Sequence, residues 1–282
     1  MSKMTPNMLI TQLICVSSRG FEMRHEYRTL WLSDIHLGTS ASRASDLLAF
    51  LDDVSAEVIY LTGDIIDLQR LKTRPVFPHL HRQVVSRFLE IAKRGSRIIY
   101  IPGNHDVEFR QLAGGSICGI DVALEESHEC TDGKRLLVMH GDCLDSGMRR
   151  GGYVERFGGA AYHWLIEADA RLNRLRDRIG NDYSSLSTKI KLRLNSARDY
   201  IHRFEESAAR YALKRGFDGV VCGHIHRPCI REIDGVYYAN DGDWVEHRSA
   251  IAETASGQLD VLRWSRGTVV AEPQSINESL AA

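Results

Sequence analysis

Two short patterns, Asp34-Ile35-His36 and His224-Ile225-His226, set metal-binding side chains two residues apart, and Asp64, Asn104, His105 and His140 lie between them in the chain. Imidazole combined with carboxylate suits a divalent transition metal such as manganese, iron or zinc, whereas calcium or magnesium alone would take oxygen ligands. Asp34 and His36, read as part of an extended segment, reach the same side and can grip one ion. Asp64 offers two oxygens, and a carboxylate bridge of that kind can hold two ions ~3.5–4 Å apart, the separation used by two-metal phosphatases. Asn104 adds a neutral oxygen, and His140, His224 and His226 complete two shells. Each residue alone has a plainer structural reading; it is their recurrence in equivalent places that argues for a site.

Those places are strand ends. β-Branched and aromatic runs at 29–32, 58–61, 97–101, 135–139 and 219–222 each open into a loop that carries one or two of the candidates, the pattern of buried strands leading into functional loops. Helical spacing at 44–51 and 81–93 separates the first three runs and gives a β-α-β-α-β order. Further strands are expected at 236–239, 249–253 and 258–264. In an open α/β sheet the crevice outside the carboxyl ends of the strands is where ligands bind, so the loops are expected to converge there. Gly63, Gly103, Gly141 and Gly223 adjoin proposed ligands, either as plain turn glycines or because backbone must approach closely at a crowded site.

Residues 147–215 break the rhythm with long helix-like stretches and read as a helical hairpin inserted into the core, which then comprises 27–146 and 216–266. The insert carries 15 Lys plus Arg against 8 Asp plus Glu, while the whole chain has a net charge of −1. Its aromatic-rich stretch (Tyr153, Phe157, Tyr162, Trp164, Leu165) fits either packing against the body or a lid over an apolar substrate, and Arg149, Arg150 and Arg156 are candidate phosphate contacts. Residues 1–26 are expected to be a disordered leader, with Met23 a second candidate start, and 267–282 a flexible tail. The apolar run at 8–16 is too short to span a bilayer, which takes roughly 20 residues. Six scattered cysteines without a Cys-x-x-Cys pair read as free thiols in a reducing compartment.

The ordered set Asp-Ile-His, Gly-Asp-Ile-Ile-Asp, Gly-Asn-His-Asp, His-Gly-Asp and Gly-His-Ile-His, spread over residues 30–264, resembles that of the calcineurin-like metallophosphoesterases. The resemblance implies an α/β fold, a double β-sandwich flanked by helices. It implies two divalent ions, with Asp34, His36, Asp64 and His226 on one and Asp64, Asn104, His140 and His224 on the other. Within the family the chain bears a closer likeness to bacterial proteins similar to UDP-2,3-diacylglucosamine hydrolase, which carry a helical insertion at this point and cleave a lipid A precursor. That likeness implies a cytoplasmic protein that visits the inner membrane surface. One departure is that the lipid A pathway hydrolase usually has arginine where this chain has His105, whereas broad phosphodiesterases of the superfamily have histidine.

The expected chemistry is attack by a metal-bound hydroxide on phosphorus, with manganese the first choice of metal. His105 is the candidate acid toward the leaving oxygen, oriented by Asp67 or Asp106, the latter having helix capping as its alternative role. Asp243, in the turn Asn240-Asp241-Gly242-Asp243-Trp244, is a candidate outer partner of a histidine ligand. Two other functions stay open on the sequence: a phosphodiesterase acting on nucleotides or nucleic acid, and a non-enzymatic scaffold of the same fold.

Overall fold

The computed structural model describes residues 25–145 and 195–272. Two sheets pack face to face. The larger has eight strands in the order β13-β12-β11-β1-β2-β3-β5-β4, and the smaller has five in the order β6-β7-β8-β10-β9. In the larger sheet β1 (His25–Leu32), β2 (Val54–Leu61), β3 (Arg97–Tyr100) and β5 (Ile120–Val122) run parallel. β11 (Ser249–Glu253), β12 (Leu259–Ser265) and β13 (Thr268–Glu272) extend it antiparallel on one edge, and β4 (Ser116–Ile117) closes the other. In the smaller sheet β7 (Arg135–Val138), β8 (Gly219–Cys222) and β10 (Val236–Asn240) are parallel, flanked by antiparallel β6 (Glu126–Glu129) and β9 (Cys229–Ile233).

Strand alternation builds the layers, because successive side chains point to opposite faces. Trp31, Tyr60 and Ile99 meet Leu136, Val138, Val221 and Ala239 between the sheets. Their sequence neighbours Leu30, Leu32, Ile59, Leu61 and Ile98 face outward and pack under helices. Those helices are α1 (Ala44–Asp53), which buries Ala44, Leu47, Phe50 and Leu51, and α3 (His79–Lys93), which buries His81, Val84 and Phe88. Both sets recur at three- and four-residue spacing, the stripe of an amphipathic helix. A short α2 (Leu68–Thr73) follows β2, its first turn capped by the Asp67 side chain, which accepts from the Arg70 amide at 2.7 Å.

On the far side of the small sheet lies α4 (Asn195–Lys214). Its Ile201, Phe204, Ala208 and Ala212 are buried against Leu137, Met139, Val220, Cys222 and Tyr238. Residues 195–214 of the stretch set apart in the sequence as an insertion therefore belong to the packed body, because that apolar stripe is buried against the small sheet. Two other boundaries shift as well: β1 begins at His25, inside the expected leader, and the expected tail opens with β13, which finds its hydrogen-bond partners on β12. The remainder of the expected insertion, with Arg149, Arg150, Arg156 and the aromatic stretch at 153–165, lies outside the described residues. Among the described residues, no helix is long and apolar enough to cross a membrane, and Cys118, Cys130, Cys143, Cys222 and Cys229 are free thiols.

Candidate metal centre

Six neighbouring parallel strands, three per sheet, end at one rim of the sandwich, and the candidate residues sit in the loops just beyond. The loops after β1 and β2 stay paired past the strands, through Asp34 N–H to Gly63 O and His36 N–H to Asp64 O, both 2.9 Å. The small sheet is tied in by the His224 amide, which donates to Asp34 Oδ2 at 2.9 Å, and by the Trp244 amide, which donates to Asp34 O at 3.1 Å.

The result is a buried cluster of carboxylates and imidazoles. Ligand atoms of Asp34, His36 and His226 lie within 4.8 Å of one another, as do those of Asp34, Asp64 and His140 and those of His36, Asp67 and His105. Two atoms on opposite sides of an ion at ~2.1 Å stand ~4.2 Å apart, so these groupings need little adjustment to close on a cation. Asp34 is common to the first two. Asp64 reaches toward both, with Oδ2 at 3.5 Å from His140 Nε2 and 4.0 Å from His36 Nε2. Asn104 Oδ1 lies 3.3 Å from His140 Nε2, beside the second grouping. His224 stands next to His140, ring centroids 5.1 Å apart, but its Nε2 is turned to Asp145 at 3.0 Å.

Three observations fit this cluster to metal rather than to hydrogen bonding. Buried His36 Nε2 has no hydrogen-bond partner among the described residues, although buried polar atoms are nearly always paired, and Asp34 Oδ1 faces two imidazole nitrogens at once, His226 Nε2 at 2.9 Å and His36 Nε2 at 3.7 Å. Asp34, His36, Asp64, His224 and His226 all have left-handed backbones, with φ between 49° and 70°, a conformation that costs non-glycine residues on the order of 1 kcal/mol each and collects at functional sites. The Asp34–His36 segment is thus not extended, and the two side chains converge (Oδ1 to Nε2, 3.7 Å) through paired left-handed turns. Finally, the glycines are needed for closeness: a β-carbon on Gly103 would stand 2.7 Å from both Asp64 N and His140 Cδ2, and one on Gly63 or Gly223 would overlap His140 or Asp34.

The electrostatics match. Burial would raise the carboxyls of Asp34 and Asp64, yet the surrounding imidazoles, His226 foremost for Asp34 and His140 for Asp64, hold both well below the usual carboxylate range. Burial likewise opposes charge on His140, but Asp64 and Asp34 push its pKa up to about 10. Positive charge is what the carboxylates demand, and a divalent cation held by these residues would supply it while displacing those protons.

Asp67 and His105 flank this centre together. Asp67 Oδ2 lies 3.2 Å from His105 Nδ1 and 3.5 Å from His36 Nδ1, and the imidazoles overcome its burial to depress its carboxyl. Asp106 has a different task from orienting His105. It accepts from the Gly103 amide at 2.6 Å and the Ile65 amide at 2.7 Å, pinning the β3 loop to the β2 loop. Asp243 Oδ2 bonds His247 Nδ1 at 2.5 Å and is 3.9 Å from His226 Nδ1, so its hydrogen bond goes to a residue outside the proposed ligands.

Sequence reasoning missed Asp241, Ser33, Thr62, Asp145 and Tyr200. The fully buried Asp241 carboxylate takes hydrogen bonds from Ser33 Oγ (2.5 Å) and Thr62 Oγ1, and Ser33 Oγ also contacts Asp34 Oδ2 (2.6 Å). Burial pushes the Asp241 carboxyl up to about 7. Its position beside Asp243 in an acidic turn was a signal, but the hydroxyls that hold it are some 180 to 210 residues away.

The family model described as calcineurin-like phosphoesterase matches residues 27–228. UDP-2,3-diacylglucosamine hydrolase of Edwardsiella ictaluri is 28% identical over 245 residues, 81% of this chain and 89% of that protein. The protein of the same name from Azotobacter vinelandii is 27% identical, covering 73% and 84% of the two chains, and that from Photorhabdus laumondii is 26% identical, covering 83% and 98%. Among solved structures, an E. coli phosphoesterase, Yfce, aligns with a TM-score of 0.43 at 17% identity, covering 86% of this chain and 96% of that one. The matched span contains the loops that build the buried cluster, and the chain belongs to the calcineurin-like phosphoesterase family as a metal-dependent phosphoester hydrolase.

Proposed function

We propose that this hydrolase carries two metal ions and cleaves the pyrophosphate bond of UDP-2,3-diacylglucosamine, or of a similar nucleotide-linked lipid, to UMP and a sugar 1-phosphate. Asp34, His36, Asp64 and His226 hold one ion; Asp64, Asn104, His140 and His224 hold the other. The observation that supports this best is the convergence of these seven residues, from five loops, on one buried cluster of carboxylates and imidazoles at the rim of the sandwich. Mixed imidazole and carboxylate donors suit manganese first, and iron or zinc next. When bound, such ions lower the pKa of a water toward neutrality and neutralise phosphoryl oxygens.

The chain's own contribution begins with His105, whose side chain is at the edge of the cluster. Its amide donates to Asp64 Oδ1 at 2.8 Å, which fixes the loop, and the Asp67 carboxylate lies 3.2 Å from Nδ1. Nε2, 3.9 Å from Asp64 Oδ2, is then the nitrogen turned to the centre, placed to deliver a proton to the leaving oxygen. Asp67 orients the ring.

The substrate rests on the three relatives described above, which share one name and are 26–28% identical over most of both chains. An acylated substrate implies work at a membrane surface from the cytoplasmic side, with Arg149, Arg150 and Arg156 as phosphate contacts. A phosphodiesterase acting on nucleotides is the second reading, favoured by a histidine at 105 where the lipid hydrolases usually have arginine.

The deciding experiment compares manganese-loaded protein on UDP-2,3-diacylglucosamine and on bis(p-nitrophenyl) phosphate, with Asp64→Ala as control. UMP release far faster than diester cleavage supports the lipid reading. Diester cleavage alone moves the assignment to the second reading, and there a steep fall of affinity with salt would mark a nucleic-acid substrate.

A further inference from the structure

We infer that Asp145 is the positioning carboxylate of His224, held in place by Tyr200, and that it makes binding of the second ion depend on helix α4. The inference rests on the assignment of His224 to that ion.

Two of the proposed imidazole ligands divide their two nitrogens in the same way. His36 turns Nε2 to Asp34 (3.7 Å) and Nδ1 to Asp67 (3.5 Å). His140 turns Nε2 to Asp64 (3.5 Å) and Nδ1 to the Thr62 carbonyl oxygen (2.8 Å). His226 also turns Nε2 to Asp34 (2.9 Å), but its Nδ1 is 3.9 Å from Asp243, whose hydrogen bond goes to His247. His224 completes the pattern with the nitrogens exchanged. Its Nε2 is 3.0 Å from Asp145 Oδ2, while its amide is bonded to Asp34 and its ring lies beside His140, so Nδ1 is the nitrogen left for the centre.

Asp145 is held from the other side. The Tyr200 hydroxyl donates to Asp145 Oδ1 at 2.8 Å. Tyr200 lies on α4, one turn before Phe204, whose ring is 5.7 Å from that of His224. A relay from α4 through Tyr200 and Asp145 thus ends on a ligand.

A carboxylate accepting from the far nitrogen keeps the proton there and leaves the near lone pair free. It also fixes the ring plane and raises the basicity of the ligand, and loss of such a partner typically weakens metal binding ~10–100-fold. Coupling is reciprocal, so an ion on His224 also strengthens the Tyr200–Asp145 contact.

The test is calorimetric titration of the metal-free full chain with manganese. Asp145→Ala should weaken one of the two ions ~10–100-fold and leave the other as in the wild type. Asp145→Asn, which keeps an acceptor oxygen, should restore part of the loss, and Tyr200→Phe should shift the same ion in the same direction by less. Melting temperatures in chelator should be unchanged for the two near-isosteric variants, which carry the test should Asp145→Ala fold poorly. Wild-type or tighter binding of both ions by the Asp145 variants overturns the inference. His224→Ala separates the two layers: if it still binds two ions as tightly as the wild type, the ligand assignment itself fails.

Discussion

Gly103 lies against Asp64 so closely that a β-carbon there would overlap the Asp64 carboxylate and stand 2.7 Å from the Asp64 amide nitrogen. No positive φ is involved at this position; the glycine is required by a side chain thirty-nine residues earlier. Gly103→Ala should therefore displace Asp64 or the β3 loop without unfolding the sandwich. The expected loss of diester turnover is on the order of 10²-fold, the cost of misplacing a catalytic group by ~1 Å. Turnover and metal content, measured beside a circular dichroism spectrum, check this, and wild-type turnover would show that the contact relaxes at no cost.

His105→Ala should separate metal binding from proton delivery. Elemental analysis should still find two ions per chain, because His105 is not among the seven proposed ligands, while turnover falls ~10²–10⁴-fold. Asp67→Asn should reduce turnover in the same direction by less. Unchanged turnover in His105→Ala would remove the acid role.

Metal should also stabilise the fold. A ligand that binds only the native state adds about 2.7 kcal/mol at one hundred times its Kd. Manganese is accordingly expected to raise Tm by several degrees, with chelator reversing the effect and Asp64→Ala abolishing it. A Tm that ignores manganese in the wild type would count against a centre formed by these residues.

Far from the centre, Glu253 joins the two sheets. It bonds His128 Nε2 (2.9 Å), the Thr131 amide (2.8 Å) and both the side chain of Arg28 (2.8 Å) and that of Thr29 (3.1 Å). Burial works to raise its carboxyl, but His128, the Thr131 amide and Arg28 hold it down at about 2, against an ordinary value of 4.5. A carboxyl depressed in the folded state contributes stability above its unfolded pKa and loses it as pH falls. The wild type should thus lose up to ~3 kcal/mol between about pH 4.5 and about pH 2, a loss that Glu253→Gln should not share. Denaturant melts at pH 5 and pH 3 measure the difference, and parallel slopes for the two proteins would contradict it.

Much of the architecture could be read along the chain because strands β1, β2, β3, β7 and β8 each close on a run of three or four buried residues, mostly apolar. Each then stops at Gly, Asp, Asn or His. What escaped reading were β4, β5, β6, β9, β13 and α2. Ser116–Ile117 and Thr268–Glu272 have no apolar alternation to reveal them, since β13 is mostly exposed, and they become strands by pairing with neighbours already in the sheet. Helix α4 was legible as a helix and not as part of the body, because an apolar stripe announces that it needs a partner without naming one.

The sequence by itself determined the candidate donors and the loops that carry them: Asp34, His36, Asp64, Asn104, His140, His224 and His226 stand out by local spacing at strand ends, where periodicity is a short-range property. Only the tertiary structure decided which atoms face which. That Asp34 is shared by two ligand groupings, that Asp67 serves both His36 and His105, that Asp106 staples two loops, and that His224 leans on Asp145 all depend on contacts across thirty to two hundred residues. Such contacts follow from how two sheets and a helix pack, and packing distance leaves no mark on the order of residues along the chain.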